Sequence, residues 1–182
     1  MKQFFIVIVI LSTLMSCGKT QNQETSAKTK KESPKKEKKI SKTKKTSAEL
    51  SNVVVDANGV ANVVILTDDG MRFNVRKIKV KSGQKIKLTL KHNGKLDKKI
   101  MGHNVVFLRK NVKLSDFAVK AMAAKDNDYI PEGTQEVIAY TKMLGGGETT
   151  QIEFTAPDPG TYEYICSFPG HFGMMKGKLI VE

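Results

Sequence analysis

The chain has 182 residues, enough for one or two domains, and a formal net charge of +13 from 31 Lys and Arg against 18 Asp and Glu. It contains only two cysteines and three histidines. These counts exclude a scaffold stapled by several disulfides and leave too few soft ligands for more than one metal centre.

The first 17 residues have the composition of a secretion signal. They contain one positive charge, an apolar run of about twelve residues, and then small and polar residues up to Cys17. An apolar run this short is typical of a signal peptide, because a membrane-spanning helix needs about twenty residues. Residues 14–17 (LMSC) resemble the lipobox of bacterial lipoproteins, in which the cysteine is lipidated and becomes the mature N-terminus. We therefore predict a lipoprotein signal over residues 1–17 with Cys17 as the lipidation site, and plain signal cleavage is the alternative.

A lysine-rich segment follows the predicted signal. Residues 18–48 contain eleven lysines and three glutamates, which give +8 of the formal charge, and almost no apolar residues. Such a segment cannot bury enough apolar surface to offset chain entropy, so we predict a disordered linker. Basic arms also bind nucleic acid, but this segment lacks aromatic residues for base stacking and the chain is predicted to be exported. We therefore expect a tether of roughly 30 Å and no nucleic-acid partner.

Residues 49–182 have the pattern of an all-β domain. Apolar and polar residues alternate with period two, as at Ile86, Leu88 and Leu90, where lysines occupy the other face, and turn signals separate the segments. The segments predicted as strands are 52–57, 61–70, 72–80, 84–92, 104–108, 136–141, 149–156, 161–166 and 176–182. We expect about eight antiparallel strands in a β-sandwich.

One segment has a different period. Residues 113–130 (KLSDFAVKAMAAKDNDYI) place apolar and small residues at helical spacing. This predicts one short helical insertion at about 115–125, with Ser115 or Asp116 as its N-terminal cap.

Two segments contain the side chains that suit copper. They are residues 101–107 (MGHNVVF) and residues 166–178 (CSFPGHFGMMKGK). A thiolate, two imidazoles and a weak axial thioether form the ligand set of electron-transfer copper. Cys166 ends a predicted strand and His171 lies in the following turn, while His103 comes from another strand. The three side chains can therefore converge on one ion.

Simpler interpretations of these residues exist. A cysteine beside a histidine is usually packing, and methionine-rich loops often fill gaps in a core. Zinc could occupy a similar site, although a methionine ligand gives it no advantage. Four ligand types in one order and at regular intervals, within a predicted sandwich, favour copper.

These motifs resemble those of the azurins, small blue copper proteins with the cupredoxin fold. The likeness covers residues 71–182 and includes MGHNVVF, the helical insertion, VIAYTKMLGGGE and CSFPGHFGMMKG. The pattern Cys-x₄-His-x₃-Met, about sixty residues after Gly-His-Asn, is specific to the family. The resemblance implies an all-β cupredoxin Greek-key sandwich, one type 1 copper ion and one-electron transfer without an organic substrate.

The resemblance also implies a ligand for each position around the ion. His103, Cys166 and His171 would be the strong equatorial ligands. Met175 would be the weak axial ligand, and the carbonyl of Gly102 would lie on the opposite side.

The resemblance also implies that two further residues, Met174 and His92, do not bind the metal. Met174 does not fit the spacing of the family's loop and is expected at the rim of the site. His92 matches a histidine of azurins that binds no metal, eleven residues before His103.

The resemblance predicts supporting roles around the ligands. Asn104 would join the two ligand loops by hydrogen bonds, and the amide of Phe168 would point at the Cys166 sulfur.

A docking surface is implied as well. Met71, Met101, Phe168 and Pro169 would form an apolar collar around the exposed edge of His171, where a redox partner would bind.

The predicted function is that of a lipid-anchored, exported electron carrier on the periplasmic or cell-surface side of a bacterial membrane. Its partners would be redox proteins such as a c-type cytochrome, a reductase or an oxidase. An enzyme with a second copper centre is not expected, because Cys166 is flanked by Ile165 and Ser167 and not by histidines. Copper storage or delivery is the alternative function. Residues 49–58 precede the part similar to azurins and could add a strand.

Overall fold

Residues 53–182 are the part of the chain described by the computed structural model, and they form two packed β-sheets. The predicted lipoprotein signal, Cys17 and the lysine-rich linker lie outside the described residues. Among residues 53–182, no helix combines the length and the apolar character that a membrane span requires.

The strands of the described region confirm the all-β sandwich. They are β1 (Val53–Val55), β2 (Ala61–Thr67), β3 (Lys77–Val80), β4 (Lys85–His92), β5 (Val106–Leu108), β6 (Val137–Tyr140), β7 (Thr149–Thr155), β8 (Gly160–Ile165) and β9 (Lys176–Val181). The first sheet has the order β1-β2-β4-β7, and the second has the order β3-β9-β8-β5-β6.

The expectation that all strands pair antiparallel is wrong for two pairs. β2 pairs with β4 in parallel, and β3 pairs with β9 in parallel. The reason is a crossover between the sheets, since β3 lies in the second sheet between β2 and β4 along the chain. The chain therefore enters β2 and β4 from the same end of the sandwich.

A short helix that the sequence pattern did not predict, α1 (Lys98–Met101), lies between β4 and β5. It begins after Asp97, whose Oδ1 accepts a hydrogen bond of 2.8 Å from the backbone N–H of Lys99. Four residues are too few for a helical period to be recognised. This helix carries the chain to Gly102.

The predicted helical insertion is present as α2 (Leu114–Met122), followed by a 3₁₀ turn at Lys125–Asn127. The prediction of its cap is wrong, because the N-cap residue is Lys113 and it makes no side-chain capping bond. The helix begins one residue before Ser115, whose hydroxyl instead donates to Asp116 Oδ1 at 3.1 Å.

Two apolar cores hold these layers together. The main core fills the space between the sheets, where inward side chains alternate along the strands, as at Val63, Ile65, Ile86, Leu88, Leu90, Ile78, Leu179 and Tyr164. The smaller core lies on the outer face of the second sheet, which α2 covers: Val106, Leu108, Ile165, Phe117, Ala121 and Ile130.

Strand β1 occupies part of the segment that precedes the likeness to azurins. It pairs antiparallel with β2, with Val55 opposite Ala61. The connecting turn is held by Asp56, whose Oδ1 accepts the backbone N–H groups of Asn58 at 2.9 Å and Val60 at 3.1 Å. An extra edge strand therefore extends the first sheet.

Candidate metal centre

Three potential metal ligands converge at one end of the sandwich. Cys166 follows β8 directly, His103 lies just before β5, and His171 lies in the loop between β8 and β9. The Cys166 Sγ atom is 4.0 Å from His103 Nδ1 and 3.8 Å from His171 Nδ1. All three ligand atoms lie within 4.8 Å of one another, and all three residues are buried. The carbonyl oxygen of Gly102 is 3.8 Å from the same sulfur.

These separations fit one ion bound by all three side chains. A thiolate and an imidazole lie about 2.3 and 2.0 Å from a first-row metal such as zinc, so a sulfur and a nitrogen sharing one ion at trigonal angles are about 3.7 Å apart. The observed sulfur–nitrogen distances of 4.0 and 3.8 Å are close to this value. A soft thiolate combined with two imidazoles favours copper.

The backbone fixes the protonation state of His103. Its Nε2 lies 3.0 Å from the carbonyl oxygen of Asp68. Because a carbonyl only accepts, Nε2 carries the proton, and the Nδ1 lone pair is left to face Cys166. Burial is the main cause that lowers the pKa of His103 to about 4; the nearby His92 and His171 act in the same direction, and the hydrogen bond to Asp68 opposes them. The imidazole is therefore neutral and ready to bind metal at neutral pH.

Cys166 is protonated in the absence of metal. Burial raises the pKa of its thiol to about 12, although the backbone N–H groups of Asn104 and Phe168 act in the opposite direction by favouring the thiolate. A positive ion is needed to stabilise the thiolate here.

Copper affinity should therefore rise with pH. At neutral pH, binding must displace the proton of Cys166, so the apparent association constant for Cu(I) should increase about tenfold per pH unit between about pH 6 and 8. Competition with a Cu(I) chelator at a series of pH values measures this slope. An affinity independent of pH would mean that the thiol is already ionised without metal.

A tight turn shapes the loop that carries most of the ligands. The backbone N–H of His171 donates to the carbonyl oxygen of Phe168 at 3.0 Å, with Pro169 and Gly170 between them. Gly170 has φ of 83°, the value that the third residue of a type II turn requires, and proline suits the second. The Pro-Gly pair therefore returns His171 towards Cys166.

The two methionines of this loop have different environments. Met175 is fully buried, and its carbonyl oxygen accepts the backbone N–H of Cys166 at 3.0 Å. Met174 is 55% exposed. Only Met175 is thus placed inside the sandwich beside Cys166.

Asn104 connects the two ligand segments. Its Oδ1 accepts the backbone N–H of Ser167 at 2.9 Å, and its Nδ2 donates to Ser167 Oγ at 2.8 Å. The same Nδ2 donates to the carbonyl oxygen of Asp128 at 3.1 Å. One buried amide therefore links the residue after His103, the residue after Cys166 and the end of the helical insertion.

The helical insertion also contributes an aromatic ring that the sequence analysis missed. The Tyr129 ring meets the Phe168 ring edge-on at a centroid distance of 5.3 Å, and Phe168 packs against His171 at 4.6 Å. Asp128 and Tyr129 both have positive φ, 51° and 59°, a strained backbone that a non-glycine residue rarely adopts. A tyrosine in an insertion carries no sequence signal for such a contact.

The residues of the predicted collar are partly exposed around the same end. Met71, Met101, Phe168 and Pro169 each have intermediate exposure. His171 itself is only 4% exposed, so its ring is accessible over a small edge.

His92 is buried behind the ligands and does not join them. Its ring stacks on His103 with centroids 4.4 Å apart. Its Nε2 lies 2.9 Å from the carbonyl oxygen of Met101, and its Nδ1 accepts the backbone N–H of Gly94 at 3.0 Å. Both ring nitrogens are therefore occupied within the protein.

Comparison with known proteins agrees with this geometry. The profile of copper binding proteins of the plastocyanin/azurin family matches residues 58–182. Azurin-1 of Alcaligenes xylosoxydans xylosoxydans is 44% identical over 123 residues, which cover 65% of this chain and 95% of that protein. Azurin of Alcaligenes faecalis is 39% identical over 122 residues, with the same coverage of 65% and 95%.

Solved structures of blue copper proteins are also similar to this chain. Auracyanin A, a "blue" copper protein from Chloroflexus aurantiacus, superposes with a TM-score of 0.63 at 29% identity, covering 68% of this chain and 100% of that chain. The azurin Az-iso2 of Methylomonas sp. strain J gives 0.61 at 33% identity, covering 66% and 97%. The predicted likeness to azurins and the predicted copper cofactor are thus confirmed.

Proposed function

Since the chain belongs to the plastocyanin/azurin family of copper-binding proteins, we propose that it is a membrane-tethered carrier that moves single electrons between redox proteins. The observation that carries this proposal is the buried triangle of His103, Cys166 and His171. When bound there, one copper ion supplies the redox chemistry by alternating between Cu(I) and Cu(II).

The hydrogen bonds around the ligands would hold them in place in both oxidation states. We propose that His103, Cys166 and His171 would hold the ion as its strong ligands, with Met175 and the Gly102 carbonyl as its weak ligands. Rigid positioning of the ligands keeps the rearrangement between the two states small, which favours rapid electron transfer.

Burial of the ligands also favours electron transfer over the alternative of copper storage or delivery. His103 and Cys166 are 0% exposed and His171 is 4% exposed. A site built to release metal would leave its ligands open to a receiving protein. Among residues 53–182 no second group of three or more potential ligands is found, and we expect no catalysis on an organic substrate.

The collar of Met71, Met101, Phe168 and Pro169 is our candidate for the partner-docking surface. Phe168 packs on His171, so a partner that covers the collar would come close to the ligand ring. Small apolar contacts of this kind suit the weak, short-lived encounters of redox proteins. A c-type cytochrome, a reductase or an oxidase would be the class of partner.

The spectrum and the electrochemistry of the copper-loaded protein test this function. A carrier should show one intense visible band and a reversible one-electron wave. Rapid loss of Cu(I) to a chelator, without such a wave, would favour storage or delivery.

Replacing Met175 by leucine should keep the visible band and raise the reduction potential. The leucine offers no sulfur lone pair to stabilise the oxidised state, and the change of similar volume should cost less than about 1.5 kcal/mol of stability. Voltammetry measures the potential. The matched control is Met174→Leu, which alters an exposed side chain and should change little. The opposite pattern would exchange the roles of the two methionines.

Cys17→Ala should release the protein from membranes. We propose that a lipid on Cys17 and the segment 18–48 tether the domain to a bacterial membrane on its periplasmic or outer side. Cell fractionation measures the release, and the mass of the N-terminal peptide reports the lipid. Cys166→Ser changes the other cysteine and should remain in the membrane fraction. Lipidation would be contradicted if Cys17→Ala still sedimented with membranes and the N-terminal peptide of the parent protein carried no added lipid mass.

A further inference from the structure

The outer face of strands β3 and β9 bears a concentration of positive charge that the metal centre does not use. Its members are exposed lysines without an ion pair to any residue among 53–182: Lys77, Lys79, Lys176 and Lys178. We call this set the basic stripe.

Strand pairing places these side chains next to one another. β3 and β9 are parallel, with Lys77 opposite Lys178. The intervening Ile78 and Leu179 are buried in the core, which leaves the lysines on the outer face. Like charges directly opposite each other destabilise a sheet, so a bound anionic surface would relieve the repulsion.

Few acidic groups face the stripe. Glu163 on β8 is opposite Lys178 in the register, but the two do not form an ion pair. Glu182 follows β9 at its far end. Four lysines thus face two acidic side chains.

Lysines on the first sheet provide a contrast. Lys85, Lys87 and Lys91 lie on β4, and Lys87 is opposite Glu153 on β7, as Lys178 is opposite Glu163 on β8. Lys87 also interacts electrostatically with Asp56, so one more acidic group acts on Lys87 than on Lys178.

We propose that the basic stripe lies against the anionic headgroups of the membrane that holds the chain, an inference that rests on the tether proposed above. Its charge complements such a surface. None of the large apolar side chains exposed in the described region lies on β3 or β9, so this face lacks the apolar centre of a protein interface.

This orientation leaves the metal centre accessible. The stripe runs along the strands, whereas the ligands lie beyond the ends of β4 and β8. Contact through the stripe would thus leave His171 free to meet redox partners bound to the same membrane.

Amine labelling of the reconstituted protein tests the inference. The full lipidated holoprotein is placed in vesicles of phosphatidylcholine alone or of phosphatidylcholine mixed with phosphatidylglycerol. Labelling of Lys77, Lys79 and Lys178, read by mass spectrometry, should be at least about threefold slower in the anionic vesicles. Labelling of the β4 lysines should be the same in both, and high salt should abolish the difference.

Two triple variants with equal loss of charge provide the control. Lys77→Gln/Lys79→Gln/Lys178→Gln should remove the protection of the remaining Lys176. The variant Lys85→Gln/Lys87→Gln/Lys91→Gln should retain it.

The outcomes separate the two proposals. Failure of the protein to float with neutral vesicles would refute the lipid tether. Labelling in the anionic vesicles would still show whether the basic stripe contacts anionic headgroups. Equal labelling in both vesicle types overturns the inference. That result would also be expected if the stripe bound an acidic protein instead of a membrane. Equal protection of both sets of lysines overturns it as well.

Discussion

Cys166→Ser should abolish the intense visible absorption of the copper-loaded protein. That band arises from charge transfer between a thiolate sulfur and copper, and Cys166 is the only cysteine among residues 53–182. Its sulfur lies 3.8 to 4.0 Å from both imidazole nitrogens, and the described residues offer no second thiol to take its place. A serine hydroxyl is a harder ligand and does not ionise at neutral pH, so affinity for Cu(I) should also fall.

The fold of this variant should survive. Serine is close in size to cysteine, and burying its hydroxyl should cost about 1–3 kcal/mol. Absorption spectra after copper loading, together with thermal unfolding, separate loss of the ligand from loss of the fold. Cys17→Ala serves as the matched control, since it removes the other cysteine and should leave the band intact. A blue Cys166→Ser protein would refute the ligand assignment.

The strands were predictable where one face is buried and the other is solvated. The alternation around Leu88 predicted a strand over 84–92, and β4 runs over Lys85–His92. The predicted strand over 72–80 is shorter in the structure, where β3 begins at Lys77. Before that point the chain passes from one sheet to the other, and the Asn74 side chain accepts the backbone N–H of Leu66 at 2.6 Å. A crossover depends on tertiary structure, which local alternation does not report.

The metal centre, too, could be predicted from the sequence only in part. The thiol of Cys166 and the imidazoles of His103 and His171 were identifiable because their chemistry resides in residue type and spacing. The role of the Asp68 carbonyl, which orients His103, was not identifiable, since every residue has a carbonyl group. The contact of Tyr129 with Phe168 was not identifiable either, because it depends on how the insertion folds back onto the loop.

Asn104→Ala should lower the free energy of unfolding by about 3 kcal/mol, because it removes a buried network of hydrogen bonds. Asn104 is 0% exposed, and its amide makes two bonds to Ser167 and one to the Asp128 carbonyl. The substitution leaves the buried N–H and hydroxyl of Ser167 without their partner. It also removes the side-chain hydrogen bonds between the segment that carries His103 and the segment that carries Cys166.

Denaturant unfolding of the metal-free protein measures this loss without any contribution from copper binding. The matched comparison is Ser167→Ala, which removes only the hydroxyl that accepts from Asn104 Nδ2 at 2.8 Å and should cost about 1 kcal/mol. Because the Ser167 N–H still donates to Asn104 Oδ1 in that variant, the two segments stay joined. A stability of Asn104→Ala within about 0.5 kcal/mol of the parent would show that the network does not hold the loops together.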